Sequence, residues 1–168
     1  MHIYVPNTVR DEAEKIKIFI PHVKIEKATL ISLIGYKYTP VKTSGKYGYF
    51  KYFKKRWEEG ETFINIEQDI VVYPGALKAL WNCPEPWCVY DFHLPCHWDR
   101  NLENEKVGVP IGCVKISSEV IKKTKDHWNI GPVEPVMCEQ HLTKIINYGL
   151  KVHQHFPSVV NANVALLQ

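Results

Sequence analysis

Two carboxylates, Glu67 and Asp69, stand two positions apart directly after the most strand-like stretch of the chain, residues 62–66. That stretch is rich in β-branched and aromatic residues and follows a glycine turn, as buried strands do. Ligands of open α/β sheets bind beyond the carboxyl ends of the strands, and Mg²⁺ or Mn²⁺ prefers carboxylate oxygens. The spacing therefore predicts a divalent metal site that holds a diphosphate. A solvated strand end, or two helix-capping acids, explains the same spacing equally well.

His153 and His155 form the second candidate group. They stand two positions apart in an extended segment, so their side chains point to the same side. Imidazole is a good ligand for transition metals. Alone, such a pair is more often a surface or hydrogen-bonded feature, but together with Glu67 and Asp69 it predicts one shared metal site.

A third group combines cysteines with histidines: Cys83, Cys88, Cys96 and His93 or His97. Thiolates and imidazoles at such spacings suit tetrahedral zinc. The second half of the pattern is irregular, however, and free cysteine is also a common core residue. Five cysteines without a framework pattern predict a reducing, cytoplasmic environment rather than a disulfide scaffold.

The fourth feature is a lysine-rich and aromatic-rich run at residues 42–56. Such a run could attract phosphates or stack bases. At helical spacing, Tyr49, Phe53 and Trp57 are instead predicted to be core anchors beneath a solvated basic face. Lys46, in the glycine-flanked loop before the helix, is the best candidate for a phosphate contact.

The elements that must position these residues alternate along the chain. Helices are predicted at residues 10–19, 49–59, 74–81 and 136–148, and after a cap at Ser117 or Ser118. Strands are predicted at residues 2–5, 23–25, 30–34, 62–66, 87–92 and 111–116, and from Val152 onward. Residues 38–48 are predicted to be a loop and residues 94–109 a polar excursion. Alternating strands and helices predict an α/β architecture with a largely parallel sheet.

Length and composition set wider bounds. A chain of 168 residues predicts one compact domain spanning residues 1–168. A net charge of +3 is too mild to indicate a nucleic-acid partner by itself. No apolar stretch approaches the roughly 20 residues that span a bilayer, and no secretory signal pattern is visible at the N-terminus. We therefore expect a cytoplasmic protein without a membrane partner.

Several segments resemble a family of small bacterial and phage proteins that are regarded as GT-A-type glycosyltransferases. The segments that carry the resemblance are residues 57–70, 74–77, 83–88, 111–113 and 149–157. The resemblance covers most of residues 47–157, and the sequence CPEPWC at residues 83–88 is its most specific part.

The resemblance implies a compact GT-A-like (Rossmann-like) fold, with a mixed, mostly parallel sheet flanked by helices. It implies transfer of a sugar from a nucleoside-diphosphate sugar, assisted by Mn²⁺ or Mg²⁺. Asp69 would bind the metal directly, Glu67 would act through water or the donor ribose, and His153 or His155 would complete the site. The metal would stabilise charge on the departing nucleoside diphosphate as a Lewis acid.

The resemblance also assigns a role to Glu139, near the start of a late helix, as the base or the acceptor-binding carboxylate. An ordinary first-turn acid explains Glu139 equally well. We expect Pro6 and Asn7, after the first predicted strand, to contact the nucleoside base of the sugar donor. The chain departs from the family pattern in three places: Glu replaces Asp at position 67, Cys138 precedes Glu139, and only 66 residues precede Glu67.

Three functions remain open from the sequence. The first is a phage-type glycosyltransferase, in the host cytoplasm if phage-encoded, whose acceptor is a modified DNA base, a protein or another hydroxyl compound. A base in duplex DNA must be flipped out, and Trp87 or Trp98 could line that pocket. The second is a non-catalytic, zinc-containing nucleic-acid-binding module with incidental carboxylates. The third is a metal-dependent nuclease using Glu67 and Asp69, ranked last because no lysine follows at the spacing such enzymes favour.

Overall fold

A computed structural model describes residues 15–90, 109–155 and 159–162, which form a mixed α/β fold. The strands of its main sheet are β1 (Ile18–His22), β2 (Tyr38–Lys42), β3 (Phe63–Ile66), β5 (Trp87–Tyr90), β6 (Cys113–Ile116) and β7 (His153–His155). Their order is β2-β1-β3-β6-β5-β7, and only β6 runs antiparallel to its neighbours. A second, two-stranded sheet pairs β4 (Ile70–Val72) with β8 (Val159–Asn161). The predicted mixed, mostly parallel sheet is confirmed.

Helices cover both faces of the main sheet. They are α1 (Lys27–Ser32), α2 (Gly48–Glu59), α3 (Ala76–Asn82), α4 (Ser118–Lys123) and α5 (Pro135–Thr143), which a 3₁₀ helix (Lys144–Tyr148) follows. Buried residues of α2, α4 and α5 pack in one hydrophobic core, and those of α3, β4 and β8 pack in the other. None of the helices in the described residues is both long and apolar enough to cross a membrane.

Alternation along the central strands divides the side chains between the two cores. Phe63 of β3 faces the first core, whereas Ile64 and Ile66 face the second. The first core is built on aromatic rings, with Phe53 of α2 stacked on Trp128 at 5.3 Å between ring centroids. Full burial of such a side chain stabilises the fold by about 1.5–3 kcal/mol.

Most of the elements predicted from strong local signals are confirmed. Helix α2 ends at Gly60, whose φ of 72° is the left-handed conformation that glycine adopts without strain. Helix α4 begins at Ser117, whose side chain accepts a hydrogen bond from the Val120 amide. Strands β3 and β5 and helix α3 lie where they were predicted. The predicted late helix divides into α5 and the 3₁₀ helix and ends at Gly149.

The predictions between residues 15 and 48 are mostly wrong. The predicted helix at residues 10–19 overlaps β1, because Ile16, Ile18 and Ile20 are buried with the period of a strand. Residues 23 and 24 form a bend and residue 25 is irregular. The strand predicted at residues 30–34 is the end of α1 and a turn. The predicted loop at residues 38–48 contains β2, an exposed edge strand that tolerates Pro40 and lacks an alternating apolar pattern. Residues 2–5, 10–14 and 94–108 lie outside the described residues.

Candidate functional site

Glu67 and Asp69 follow β3 at the edge of the sheet where the parallel strands β1 and β2 also end. A tight turn carries the chain from β3 into β4. In this turn the Glu67 amide donates to the Gly112 carbonyl at 2.8 Å, and the Ile70 amide donates to the Glu67 carbonyl at 3.2 Å. The backbone of the turn is therefore held on both sides, and the two carboxylates stand at the carboxyl edge, as predicted.

Gln68, between the two carboxylates, anchors the loop that follows β1. Its side-chain oxygen accepts a hydrogen bond from the Val23 amide at 2.8 Å. Its carbonyl accepts hydrogen bonds from the Glu26 amide at 2.8 Å and from the Thr29 hydroxyl at 3.0 Å. Gln68 thus has a structural role: it fixes the loop after β1 to the turn. The carboxylates of Glu67 and Asp69 remain available to bind a ligand.

Three carboxyl groups converge at this edge. Burial raises the pKa of Glu67 to about 8, and the neighbouring charges of Asp69 and of Glu139 from α5 contribute to the rise. A hydrogen bond with Tyr49 opposes it. Crowded carboxylates of this kind favour either a bound proton or a bound cation.

Tyr49, in the first turn of α2, lies against the same carboxylates. Its hydroxyl is 3.4 Å from the Pro21 carbonyl at the end of β1 and hydrogen-bonds with the Glu67 carboxyl. Burial, followed by the charges of Glu67 and Asp69, raises the pKa of Tyr49, so the phenol keeps its proton. The spacing of Tyr49 with Phe53 and Trp57 predicted only a core position for this ring. It did not predict that the Tyr49 hydroxyl hydrogen-bonds with Glu67.

Asp69 is oriented by the C-terminal part of the chain. The Asn161 side-chain amide, at the end of β8, donates a hydrogen bond to the Asp69 carboxylate at 2.8 Å. The Ala162 amide donates to the Asp69 carbonyl at 2.6 Å. The pairing of β4 with β8 therefore sets the direction of this carboxylate.

Two buried polar atoms at the ends of β1 and β2 have no hydrogen-bond partner among the described residues: His22 Nδ1 and Thr43 Oγ1. The Thr43 amide donates to the His22 carbonyl at 2.8 Å, so the two residues are adjacent. Gly48 packs so closely that a Cβ there would come within 3.0 Å of the Thr43 side chain. Since buried polar atoms are usually hydrogen-bonded, the pair is a candidate ligand contact. Neither residue was predicted from the sequence, because β1 and β2, at whose ends they lie, were not predicted.

Glu139, to which the resemblance assigns the base or acceptor-binding role, lies near enough to Glu67 for its charge to raise the pKa of that residue. Glu139 is the fifth residue of α5, and the first turn of this helix contains no acid. The alternative of an ordinary first-turn acid is therefore wrong.

Lys46, the predicted phosphate contact, forms an exposed ion pair with Glu134 at 2.8 Å, just before α5. The hydrogen bond and the charge of Glu134 raise the pKa of Lys46. This pair joins the loop before α2 to the start of α5. Pro6 and Asn7, the predicted donor contacts, lie outside the described residues.

Two features linked to DNA are placed differently than expected. Arg56 does not belong to a solvated basic face: its guanidinium is buried 3.9 Å from the centroid of the Phe19 ring and pairs with Glu59 at 2.7 Å. Trp87 is fully buried in the core and does not line a base pocket. Trp98 lies outside the described residues.

The structure does not bring His153 and His155 to the carboxylates. Strands β6 and β5 separate β7 from β3, and the register aligns His155 with the level of Ile66. Three strand spacings amount to roughly 14 Å. The histidines instead lie with Cys83 and Cys88, and the four ligand atoms are all within 4.8 Å of one another. Of the zinc ligands predicted from the sequence, Cys96, His93 and His97 lie outside the described residues.

The fold and the site thus define an α/β protein with an acidic centre at the carboxyl edge of a mixed sheet. No protein-family model matches the chain, and no curated protein matches it. Among solved structures, the chain is similar to the protein A197 from STIV, with a TM-score of 0.53 and 12% identity over 86% of this chain and 82% of that one. Another match is a glycosyltransferase involved in the glycosylation of the major capsid of PBCV-1. Its TM-score is 0.48 and its identity 13%, over 87% of this chain and 93% of that one.

Proposed function

We propose that this chain is a metal-dependent glycosyltransferase that transfers a sugar from a nucleoside-diphosphate sugar to a hydroxyl acceptor. The observation that carries the proposal is the convergence of Glu67, Asp69 and Glu139 at the carboxyl edge of the sheet. The resemblance of residues 47–157 to GT-A-type proteins supports the same function.

The residues at this edge fit a hard divalent cation such as Mn²⁺ or Mg²⁺. Their donor atoms are carboxylate oxygens. Burial, followed by the charges of Asp69 and Glu139, raises the pKa of Glu67, and a bound cation would offset both effects. Asp69 and Glu67 would hold the metal, whose chemistry is to stabilise negative charge on the departing diphosphate. His153 and His155 are too distant to complete this site, so water and donor phosphate would fill the other positions.

Other residues of the site would position the carboxyl groups and accept a proton. Tyr49 keeps its proton and holds the Glu67 carboxyl, while Asn161 holds the Asp69 carboxylate. Glu139 would accept the proton of the acceptor hydroxyl as the sugar is transferred. Each group has a position set by a different element, which limits the reorganisation needed during the reaction.

The donor would be bound at the ends of β1 and β2. His22 Nδ1 and Thr43 Oγ1 are buried there and have no hydrogen-bond partner in the part of the chain that the structure describes. Pro6 and Asn7 remain the predicted contacts for the nucleoside base. Lys46 would exchange Glu134 for a phosphate, and because exposed ion pairs contribute little to stability, this exchange is easily made.

The acceptor remains a modified DNA base, a protein or another hydroxyl compound. Burial of Arg56 and Trp87 removes two of the features that favoured DNA. A phage origin and a cytoplasmic location stay part of the proposal.

The alternative function is a zinc-containing nucleic-acid-binding module. The cluster of Cys83 with His153 supports the zinc of this alternative but not its nucleic-acid binding.

The test is a thermal-shift panel of nucleoside diphosphates and nucleotide sugars, each with and without Mn²⁺. It is run on the wild type, Asp69→Asn and the control Glu61→Gln, whose carboxylate is exposed just before β3. A ligand at a hundred times its Kd adds about 2.7 kcal/mol of stability. We expect one nucleotide to stabilise the wild type and the control only with Mn²⁺, and not to stabilise Asp69→Asn. No shift with any nucleotide would contradict the proposal.

A further inference from the structure

We infer that Cys83, Cys88, His153 and His155 form a second metal site, that this site takes Zn²⁺, and that its role is structural. The site is distinct from the carboxylate pair, since β6 and β5 lie between β3 and β7. It does not depend on the proposed transferase activity.

The fold brings the four residues together from three elements. Cys83 directly follows α3, Cys88 lies in β5, and the two histidines lie in the edge strand β7. Strands β5 and β7 are parallel, and Cys88 is aligned with His153. Residues two apart in a strand share a face, so both histidines face the side on which Cys88 lies.

The distances are close to those of a tetrahedral zinc site. The four ligand atoms lie within 4.8 Å of one another, and Cys83 Sγ is 3.2 Å from His153 Nδ1. Zinc bonds of about 2.0–2.3 Å place tetrahedral ligand atoms about 3.3–3.8 Å apart. Small side-chain movements therefore suffice to bind the ion. Two sulfur and two nitrogen ligands in this geometry are typical of zinc.

A second observation also points to a bound ion. The Nε2 atom of His155 is buried and has no hydrogen-bond partner among the described residues. The ring lies against Tyr90, at 5.1 Å between centroids, and against His153, at 4.7 Å. An unpaired buried nitrogen destabilises the fold, and coordination of an ion would remove this cost.

The surroundings suit thiolate ligands. Lys115 of β6 is buried, and its ammonium group donates a hydrogen bond to the Cys83 carbonyl at 2.6 Å. Two prolines, at positions 84 and 86, restrict the segment between the cysteines. The lysine and the short segment together hold the sulfur ligands in place.

Four protein ligands leave no open position for substrate, which is the mark of a structural zinc site. The ion would fasten β7, a strand of only three residues at the edge of the sheet, to β5 and to the end of α3. The next strand along the chain, β8, carries the Asn161 that orients Asp69. Zinc would thus secure the segment that leads to the carboxylate site.

The first test measures the metal content of the full chain, purified under reducing conditions, by elemental mass spectrometry. We expect about one zinc ion per chain. Replacement by Co²⁺ should produce the intense thiolate absorption of tetrahedral cobalt. Reduced, folded wild type that binds no zinc and gives no such absorption with added Co²⁺ would overturn the inference, as would a disulfide between Cys83 and Cys88.

Variants assign the ligands. Cys83→Ser and His155→Ala should reduce bound zinc at least tenfold, whereas Cys113→Ser should leave it unchanged, because Cys113 is a buried thiol of β6 outside the cluster. Equal loss of zinc from Cys113→Ser would contradict the assignment. Because a ligand variant could unfold, the cobalt spectrum of the wild type decides independently. Nucleotide binding enters neither measurement, so failure here is distinct from failure of the transferase proposal.

Discussion

The carboxylate turn after β3 and the Cys–His cluster beside β7 lie on the same sheet yet offer opposite chemistry. The turn presents oxygen ligands at the edge where parallel strands end, which is the edge at which open α/β sheets bind their ligands. The cluster presents two sulfur and two nitrogen ligands from the end of α3, from β5 and from β7, so that the chain itself supplies four ligand atoms. Ligand type and openness, rather than position on the sheet, distinguish a site for Mg²⁺ or Mn²⁺ from one for structural zinc.

The largest expected effect is loss of activity at the carboxylate turn. Asp69→Asn should reduce the rate of sugar transfer by about 10²–10³-fold, the usual result of removing one group that stabilises transition-state charge. The fold should be retained, because an asparagine oxygen can still accept the hydrogen bond of Asn161. Rates measured under saturating Mn²⁺ check this, with Glu61→Gln as the control. Unchanged activity in Asp69→Asn would remove the carboxylate turn from the mechanism.

The next effect separates the two regions by stability. Stripping zinc from the wild type with a chelator should lower the free energy of unfolding by about 2.7 kcal/mol or more, relative to zinc at a hundred times its Kd. Cys113→Ser should show the same dependence on zinc, because its thiol is not a ligand. Denaturant unfolding with and without zinc provides the measurement. A protein whose stability is indifferent to zinc would contradict a structural role.

A smaller effect is expected at the end of β8, where Asn161 contacts the carboxylate turn. Asn161→Ala removes the hydrogen bond to Asp69, and hydrogen bonds to charged groups contribute about 1.5–3 kcal/mol. We therefore expect roughly tenfold weaker Mn²⁺ activation. Asn129→Ala is the matched control, since Asn129 makes a similar bond at 3.0 Å to the surface residue Asp126. Equal effects of the two substitutions would mean that Asn161 does not orient the metal ligand.

The last effect concerns acid and involves neither region. His127 and His141 stack at 4.1 Å, and each ring donates to the other's carbonyl at 2.8 Å. Burial, then the charge of His141, lowers the pKa of His127 to about 4, and burial lowers the pKa of His141. Between about pH 6.5 and 4 the unfolded chain therefore binds more protons, so acid destabilises the fold.

The free energy of unfolding should fall by up to about 1.4 kcal/mol per pH unit for His127 in that window, and the lowered pKa of His141 adds to the fall. Denaturant unfolding at several pH values measures the slope, and zinc-free Cys83→Ser protein avoids protonation of the zinc ligands. His141→Gln should reduce the slope, because it removes one of the two histidines whose pKa is lowered. A flat profile would show that the pair titrates normally in the folded state.

The features that could be predicted from the sequence are those that short-range residue patterns encode. Helix α2 with its closing glycine, strand β3 and the two carboxylates after it are all short-range patterns. Glu139 came from the resemblance, not from its spacing. Strand β2 was missed because an exposed edge strand carries no apolar alternation, and β1 because its isoleucines fit two periodicities.

The cluster could not be predicted from spacing, because its members meet only through strand pairing. Cys83 and His153 are 70 positions apart in the chain, and the parallel register of β5 and β7 unites them. The sequence therefore assigned the histidines to the carboxylates and the cysteines to other histidines. Register between distant strands depends on tertiary packing that a single sequence does not display.

Direct Mn²⁺ binding, followed by electron paramagnetic resonance of the free ion, tests the central claim that the carboxylate turn is a separate metal site. The titrations compare zinc-loaded wild type, Asp69→Asn and a Cys88→Ser variant shown to be folded. We predict that Asp69→Asn loses Mn²⁺ affinity at least tenfold, while Cys88→Ser, whose thiol lies with His153 at β7, binds Mn²⁺ like the wild type. Unchanged binding in Asp69→Asn, with loss in Cys88→Ser, would contradict the account.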